Sequence, residues 1–224
     1  MKFLRTALAA LAFAGAVASD AQAQWRSQRG GGTPGDFDFY VLALSWSPGF
    51  CELGGDRGRN REQCESGANL RFVVHGLWPQ YERGYPSDCG PSGRSPTRMA
   101  MAKAEGLFPT ESLARYQWRK HGSCSGSSPA DYFDDVRRAR EKVTIPAELE
   151  RIDRDQNWSA MDIERAFVSA NRGLRTDMMS VACRRGVLQE VKICLTRDLR
   201  NFRTCPEVDR SGCRNSDLTI SAPR

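Results

Sequence analysis

Eight cysteines and only two histidines stand in a chain of 224 residues. What eight sulfurs can do depends on the compartment, because thiols pair only where the surroundings oxidise them. The N-terminus supplies that compartment. Lys2 and Arg5 precede a small-residue apolar run, Thr6 to Ala18, that is too short to span a bilayer. Ala21-Gln22-Ala23 then gives the small-x-small pattern at which signal peptidase cuts. Residues 1–23 are therefore read as a signal peptide, 24–36 as a flexible lead around Gly30-Gly31-Gly32, and 37–224 as one folded domain. An even cysteine set in an exported chain implies disulfides, yet eight cysteines allow about a hundred pairings and spacing alone does not choose among them.

Composition narrows the class. With 40% hydrophobic and 27% charged residues the chain fits a globular protein, and no later stretch approaches the roughly 20 apolar residues of a membrane-spanning helix. One domain of this size buries about 70% of its unfolded surface. The formal net charge is +6, carried by 28 Arg and only 5 Lys. Arginine forks match phosphate oxygens two at a time, so a polyanionic partner is one reading. On charge alone, a solvated Arg-rich surface is the stronger one.

The chain reads as α+β. Phe37 to Trp46 is apolar and aromatic enough for a buried strand, and Leu70 to His75 alternates as a second strand that Gly76 ends. Tyr81 to Pro96, rich in Pro, Gly and Ser, is a loop. Helices are predicted over Arg98 to Glu105, Thr110 to His121, Asp131 to Lys142 and Ser159 to Asn171. Thr110 serves as an N-cap, Gly122 as a C-terminal stop, and Ser159-x-x-Asp162 opens like a capping box. Val187 to Leu195 and Leu218 to Ile220 are strands. No regular βαβ beat appears, which favours a single domain with a central antiparallel sheet flanked by helices.

The chemistry concentrates around the two histidines, in Phe72-Val73-Val74-His75-Gly76-Leu77-Trp78-Pro79 and Trp118-Arg119-Lys120-His121-Gly122-Ser123-Cys124. A lone histidine is more often structural than catalytic. Two of them, each at an element end, followed by Gly and near a Trp, fit a site better. On a helix Gln117, Lys120 and His121 share one face, offering an amide, a fixed cation and a titratable ring. Zinc fits poorly, because the histidines lack a third obvious ligand and the cysteines form no CxxC pair. No G-x-S-x-G elbow, Walker loop or GxGxxG loop occurs. Two imidazoles and a lysine without metal are what RNA cleavage requires: one ring takes the proton of the ribose 2′-OH, the other protonates the leaving 5′-oxygen, and lysine stabilises the phosphorane.

These two segments resemble the paired active-site signatures of the ribonuclease T2 family, secreted endoribonucleases that include bacterial ribonuclease I and the plant S-type enzymes. Asp38 to Pro48 resembles the family's first strand and Val187 to Leu195 a late one. The resemblance implies an endoribonuclease with His121 as general base, His75 as general acid and Lys120 stabilising the transition state. It also implies that Trp78 stacks on the base 5′ of the cut with Tyr85 as its partner, although a core aromatic is the other reading of Trp78. The disulfides it implies are Cys51–Cys64, Cys89–Cys124, Cys183–Cys213 and Cys194–Cys205.

Three positions depart from the family. Gln117 stands where Glu is usual, Tyr116 where His is common, and Gln80 where some members carry an Asp that reads the base. The first departure is expected to lower or reshape activity, the second to leave the acid–base pair intact, and the third to weaken purine preference. The partner implied is single-stranded RNA, cut to 2′,3′-cyclic phosphates that are then hydrolysed, with low base specificity. Neither DNA nor a membrane is a partner, no cofactor or metal is needed, and the protein is expected to be a periplasmic or secreted monomer. The alternative is a catalytically weakened RNA-binding or toxin-like module of the same fold.

Overall fold

The computed structural model describes residues 31–55, 61–65, 67–90 and 95–223, so the expected signal peptide and the first part of the lead lie outside the described residues. Six strands form one sheet: β1 (Phe39–Trp46), β2 (Phe72–Gln80), β3 (Gln156–Trp158), β4 (Met179–Arg184), β5 (Val187–Thr196) and β6 (Leu218–Ile220). Their order is β2-β1-β5-β6-β3, with β4 paired to β5 off that path. Every pairing is antiparallel except the single β5–β6 contact, Val187 beside Thr219. The four longer helices among the described residues are α1 (Arg98–Ala104), α2 (Glu111–Lys120), α3 (Pro129–Glu141) and α4 (Ala160–Ala170). Mixed α+β architecture with a central, mostly antiparallel sheet is thus what the chain adopts.

β1 is the middle of the molecule. Apart from Ser45 every residue in it is buried, because β2 and β5 flank it and both its faces are covered. Leu42, Leu44 and Trp46 join the main core with Val191 and Ile193 of β5, Phe133 of α3 and Phe167 of α4. Phe39 and Val41 form a smaller cluster with the Cys194–Cys205 bridge, against which Trp78 packs.

The helices start where their caps allow. Thr110 Oγ1 accepts from the Leu113 amide at 3.1 Å, and Ser159 and Asp162 form a reciprocal capping box. Ser128 caps α3 in the same manner, which starts that helix two residues before the predicted position. Each such cap satisfies backbone donors that the first turn cannot.

Two sequence-based expectations need correction. Gly76 does not end the second strand: β2 runs on to Gln80, pairing with β1 from Phe72 to Gln80 except at His75. The glycine is needed there because a Cβ would collide with the Gln117 amide and the Trp78 indole nitrogen. Pro79 is tolerated because β2 is an edge strand and needs no donor on its open side. Gly122 does not adopt a left-handed stop either; it opens a 3-10 turn, Gly122–Cys124. A Cβ at Gly122 would lie 2.6 Å from Trp118 and 2.8 Å from Tyr132. In the described part of the lead, residues 31–36, the Gly31 amide donates to Ser87 O and the Gly35 amide to Cys124 O at 2.9 Å.

Disulfides join Cys51 to Cys64, Cys89 to Cys124, Cys183 to Cys213 and Cys194 to Cys205. Among the described residues no helix is long and apolar enough to cross a membrane.

Tyr132 of α3 links the two histidine segments. Fully buried, it packs beside Gly122 and Trp118, and its hydroxyl donates to Leu77 O of β2 at 2.9 Å. Tyr132→Phe should leave that carbonyl unsatisfied and cost about 1–3 kcal/mol. Urea unfolding at unchanged m-value should show the lowered midpoint; an unchanged midpoint would mean the bond contributes nothing.

Candidate active site

His75 owes its direction to a break in the ladder. β2 pairs Gly76 with Ala43 and Val74 with Leu44, which leaves His75 without a partner on β1. A bulge of this kind frees one side chain from the alternation and re-aims it. The His75 ring meets β5, where its Nδ1 lies 2.6 Å from Glu190 Oε2. Lys192, two residues along β5 and so on the same face, places its Nζ 3.8 Å from the other Glu190 oxygen.

His121 ends α2, its amide still donating to Gln117 O at 2.9 Å. The helix terminus is held by the preceding loop. The Asp88 amide donates to Lys120 O at 2.8 Å, the Cys89 amide to Ser123 Oγ at 3.2 Å, and the Ser123 hydroxyl to Arg119 O at 2.9 Å. The Cys89–Cys124 bridge clamps the same two segments covalently. These contacts satisfy carbonyls that the last turn leaves open. His121 is only 7% exposed, and its Nδ1 has no hydrogen-bond partner among the described residues. Burial, then the Lys120 charge, then His75 push its pKa down to about 3.

Trp78 sits between the rings. Its indole lies 5.2 Å from the His75 ring, edge-on, and 5.2 Å from the His121 ring at 31°. Its Nε1–H donates to Gln117 Oε1 at 2.8 Å, and Gln117 is 1% exposed. The Gln117 amide therefore ties β2 to α2. Lys120 is half-buried, and the hydrogen-bonded Tyr116 phenol holds its ammonium above the usual lysine range. Tyr85 is 57% exposed, with its ring 6.4 Å from that of His121. Gln80 is buried, its amide donating to Pro79 O at 3.1 Å.

All eight residues singled out in the sequence, His75, Trp78, Gln80, Tyr85, Tyr116, Gln117, Lys120 and His121, line one cavity of about 420 Å³. Lys192 and Glu207 line it too, and sequence reading missed both, together with Glu190. A signal existed for two of them: Glu190 and Lys192 are charged residues two apart on a strand whose other face, Val191, Ile193 and Leu195, is core. Glu207 had none, since it acts across the fold, its Oε1 accepting from the Gly84 amide at 2.9 Å and steadying the Tyr85 loop. His75 also lines a second cavity of about 300 Å³, with Ser45, Phe50, Gln63 and Glu190. Two ammonium groups, two imidazoles and aromatic walls suit an anion carried between planar rings.

The model of the Ribonuclease T2 family matches residues 37–205. The chain belongs to the ribonuclease T2 family. It is an endoribonuclease by that membership. A ribonuclease of Aeromonas hydrophila is 36% identical over 179 residues, covering 79% of this chain and 80% of that protein. Ribonuclease I of Escherichia coli is 32% identical over 148 residues, covering 49% of this chain and 55% of that protein. Among solved structures, the RNase-related protein from Calystegia sepium superposes with a TM-score of 0.63 at 25% identity, covering 84% of this chain and 97% of that one.

The His121 environment has a consequence for stability. The folded ring titrates near 3 and an unfolded one near 6.5, so between those values the unfolded chain binds more protons and folding weakens as pH falls. His121→Gln removes that contribution. Unfolding free energies from urea titrations at pH 7.5 and 4.5 should fall more in the wild type than in the variant. Equal losses would show that the ring is not held neutral.

Proposed function

We propose that this protein is an exported, metal-independent endoribonuclease that cuts single-stranded RNA by histidine acid–base transphosphorylation. The observation that carries the reading is the contrast between the two rings of one cavity. His121 is dehydrated and held neutral, as a base must be. His75 is half-exposed and bonded to a carboxylate, and so suited to hold and release a proton.

His121 takes the proton of the 2′-OH, the 2′-oxygen attacks phosphorus, and the bond to the 5′-oxygen breaks as His75 protonates it. Lys120 stabilises the charge on the phosphorane. In the second step the roles reverse: His75 takes a proton from water, hydroxide opens the 2′,3′-cyclic phosphate, and His121 returns a proton to the 2′-oxygen. The substrate brings its own nucleophile, so no step calls for a metal.

Trp78 and Tyr85 offer stacking faces to the 5′ base, with Tyr116 and Gln80 beside them. Stacking is worth about 1–3 kcal/mol per base and tolerates every base, in keeping with low specificity. The second cavity, on the far side of His75, suits the leaving nucleotide. Four disulfides fit export through residues 1–23 to the periplasm or medium as a monomer. Loss of the usual Glu favours no inert module, because the Gln117 amide has its own task in holding Trp78.

RNA digestion should survive EDTA and spare DNA, which lacks the 2′-OH. His75→Ala and His121→Ala should each lower kcat/KM by about 10²–10⁴-fold, and the double variant by far less than the product. Dependence on added metal, or near-wild-type activity in either single variant, would refute the mechanism.

Gln117→Glu probes the roles separately. A base works only when neutral, so the acidic limb of kcat/KM should lie well below pH 6.5 in the wild type. A glutamate at 117 can still accept the Trp78 N–H while placing negative charge one turn before His121, which favours imidazolium. The acidic limb should move to higher pH and the alkaline limb much less. If only the alkaline limb moves, His121 is the acid.

A further inference from the structure

For His75 to serve as the acid, its proton must sit on the ring nitrogen that faces the leaving oxygen. We propose that Glu190 is the positioning residue that secures this, taking the Nδ1–H of His75 so that Nε2 alone exchanges protons with substrate, while Lys192 restrains the carboxylate. The inference rests on the acid role of His75 given above.

The geometry is specific. An ionised carboxylate has only acceptors, so at 2.6 Å the His75 Nδ1 must be the donor. Neutral His75 then keeps its lone pair on Nε2, and protonated His75 carries its second proton there. Glu190 stands in the interior of β5 and is 9% exposed. A carboxylate so placed needs partners, and its ladder neighbours, Ser45 on β1 and Ala182 on β4, are uncharged. Its partners are His75 on one oxygen and Lys192, at 3.8 Å, on the other.

β1 runs between the strands that carry His75 and Glu190. The residues it sets beside the bulge on that face are Ala43 and Ser45, small enough for the two side chains to meet over them. The charged and titratable groups facing His75 are Glu190 and Lys192 from β5, and Lys120 and His121 from α2. Glu190 is the one that touches the ring.

The ring spectrum tests this directly, because a chain with two histidines yields only two imidazole systems in 15N-histidine-labelled protein. Wild-type His75 should be the Nδ1–H tautomer when neutral, and Glu190→Ala should shift it to Nε2–H. Loss of a histidine's orienting partner costs about 10–100-fold at metal sites, and a kcat/KM loss in that range is expected here, borne by kcat. Glu190→Gln keeps an acceptor, so it should retain the tautomer and recover most of the activity. Its missing charge should move the alkaline limb of the pH profile to lower pH.

An Nε2–H tautomer in the wild type, an unchanged kcat/KM in Glu190→Ala, or a wild-type tautomer and alkaline limb in both variants would each overturn the inference. A merely structural glutamate could lower activity but would not select a ring nitrogen. Should Glu190→Ala fail to fold, the wild-type spectrum and Glu190→Gln decide. His75→Ala keeps the two proposals apart. Activity there would remove the acid role itself, whereas a dead His75→Ala beside wild-type-like Glu190 variants removes only the part given to Glu190.

Discussion

β1 is buried along nearly its whole length and pairs with β2 on one side and β5 on the other. Every group that reaches the cavity from the sheet does so through its register against this strand. Trp78 lies opposite Val41, Lys192 opposite Ala43, and Glu190 opposite Ser45, all on one face. A slip of one residue would turn that whole set toward the core. His75 is the exception that the bulge permits, and it turns toward β5 because it has no place in the ladder.

The helical side of the cavity depends on a different device. α2 ends at His121, and an exposed helix end would leave that ring free to move and hydrate. Three restraints prevent it: the loop that bonds to the last carbonyls, the Cys89–Cys124 bridge, and Tyr132, which fills the space beside Gly122 and bonds to β2 at Leu77. The same enclosure that fixes His121 strips its water and lowers its pKa, so placement and proton affinity share one cause. His75, half-exposed on the sheet, is oriented by a hydrogen bond to Glu190 instead. The two rings of one cavity thus sit in two kinds of environment.

The contacts of Gln117 and Tyr116, the positions expected to depart from the family, become intelligible at this level. Gln117 keeps an oxygen where the Trp78 indole needs an acceptor, so the bond across β2 and α2 survives without a charge. What a carboxylate would add is electrostatic, an attraction to the charged form of His121. Tyr116 sits against Lys120 and Arg119, its ring 5.9 Å from Nζ and 5.4 Å from the guanidinium carbon, and so steadies cations where a third histidine would titrate.

Much of this was legible in the residues themselves. The β1 and β5 runs are continuous and apolar, the caps at Thr110 and Ser159 are local signals, and two dense histidine segments in a histidine-poor chain marked the site. These features depend on near neighbours, which is why a linear reading reaches them. What depended on approach in space was not legible. Gly76 reads as a stop, and only the Trp78–Gln117 bond crossing over it shows why it lies within a strand. Gly122 reads as a helix terminator until Tyr132 is seen packed beside it. Strands of three residues, such as Gln156–Trp158, carry too little pattern to announce themselves. The sequence by itself determined which side chains could move a proton and steady a phosphate. The tertiary structure alone decided that one ring would be dry and the other tied to Glu190, because hydration and hydrogen bonding belong to surroundings assembled from β2, β5 and α2, distant segments brought together by burying β1.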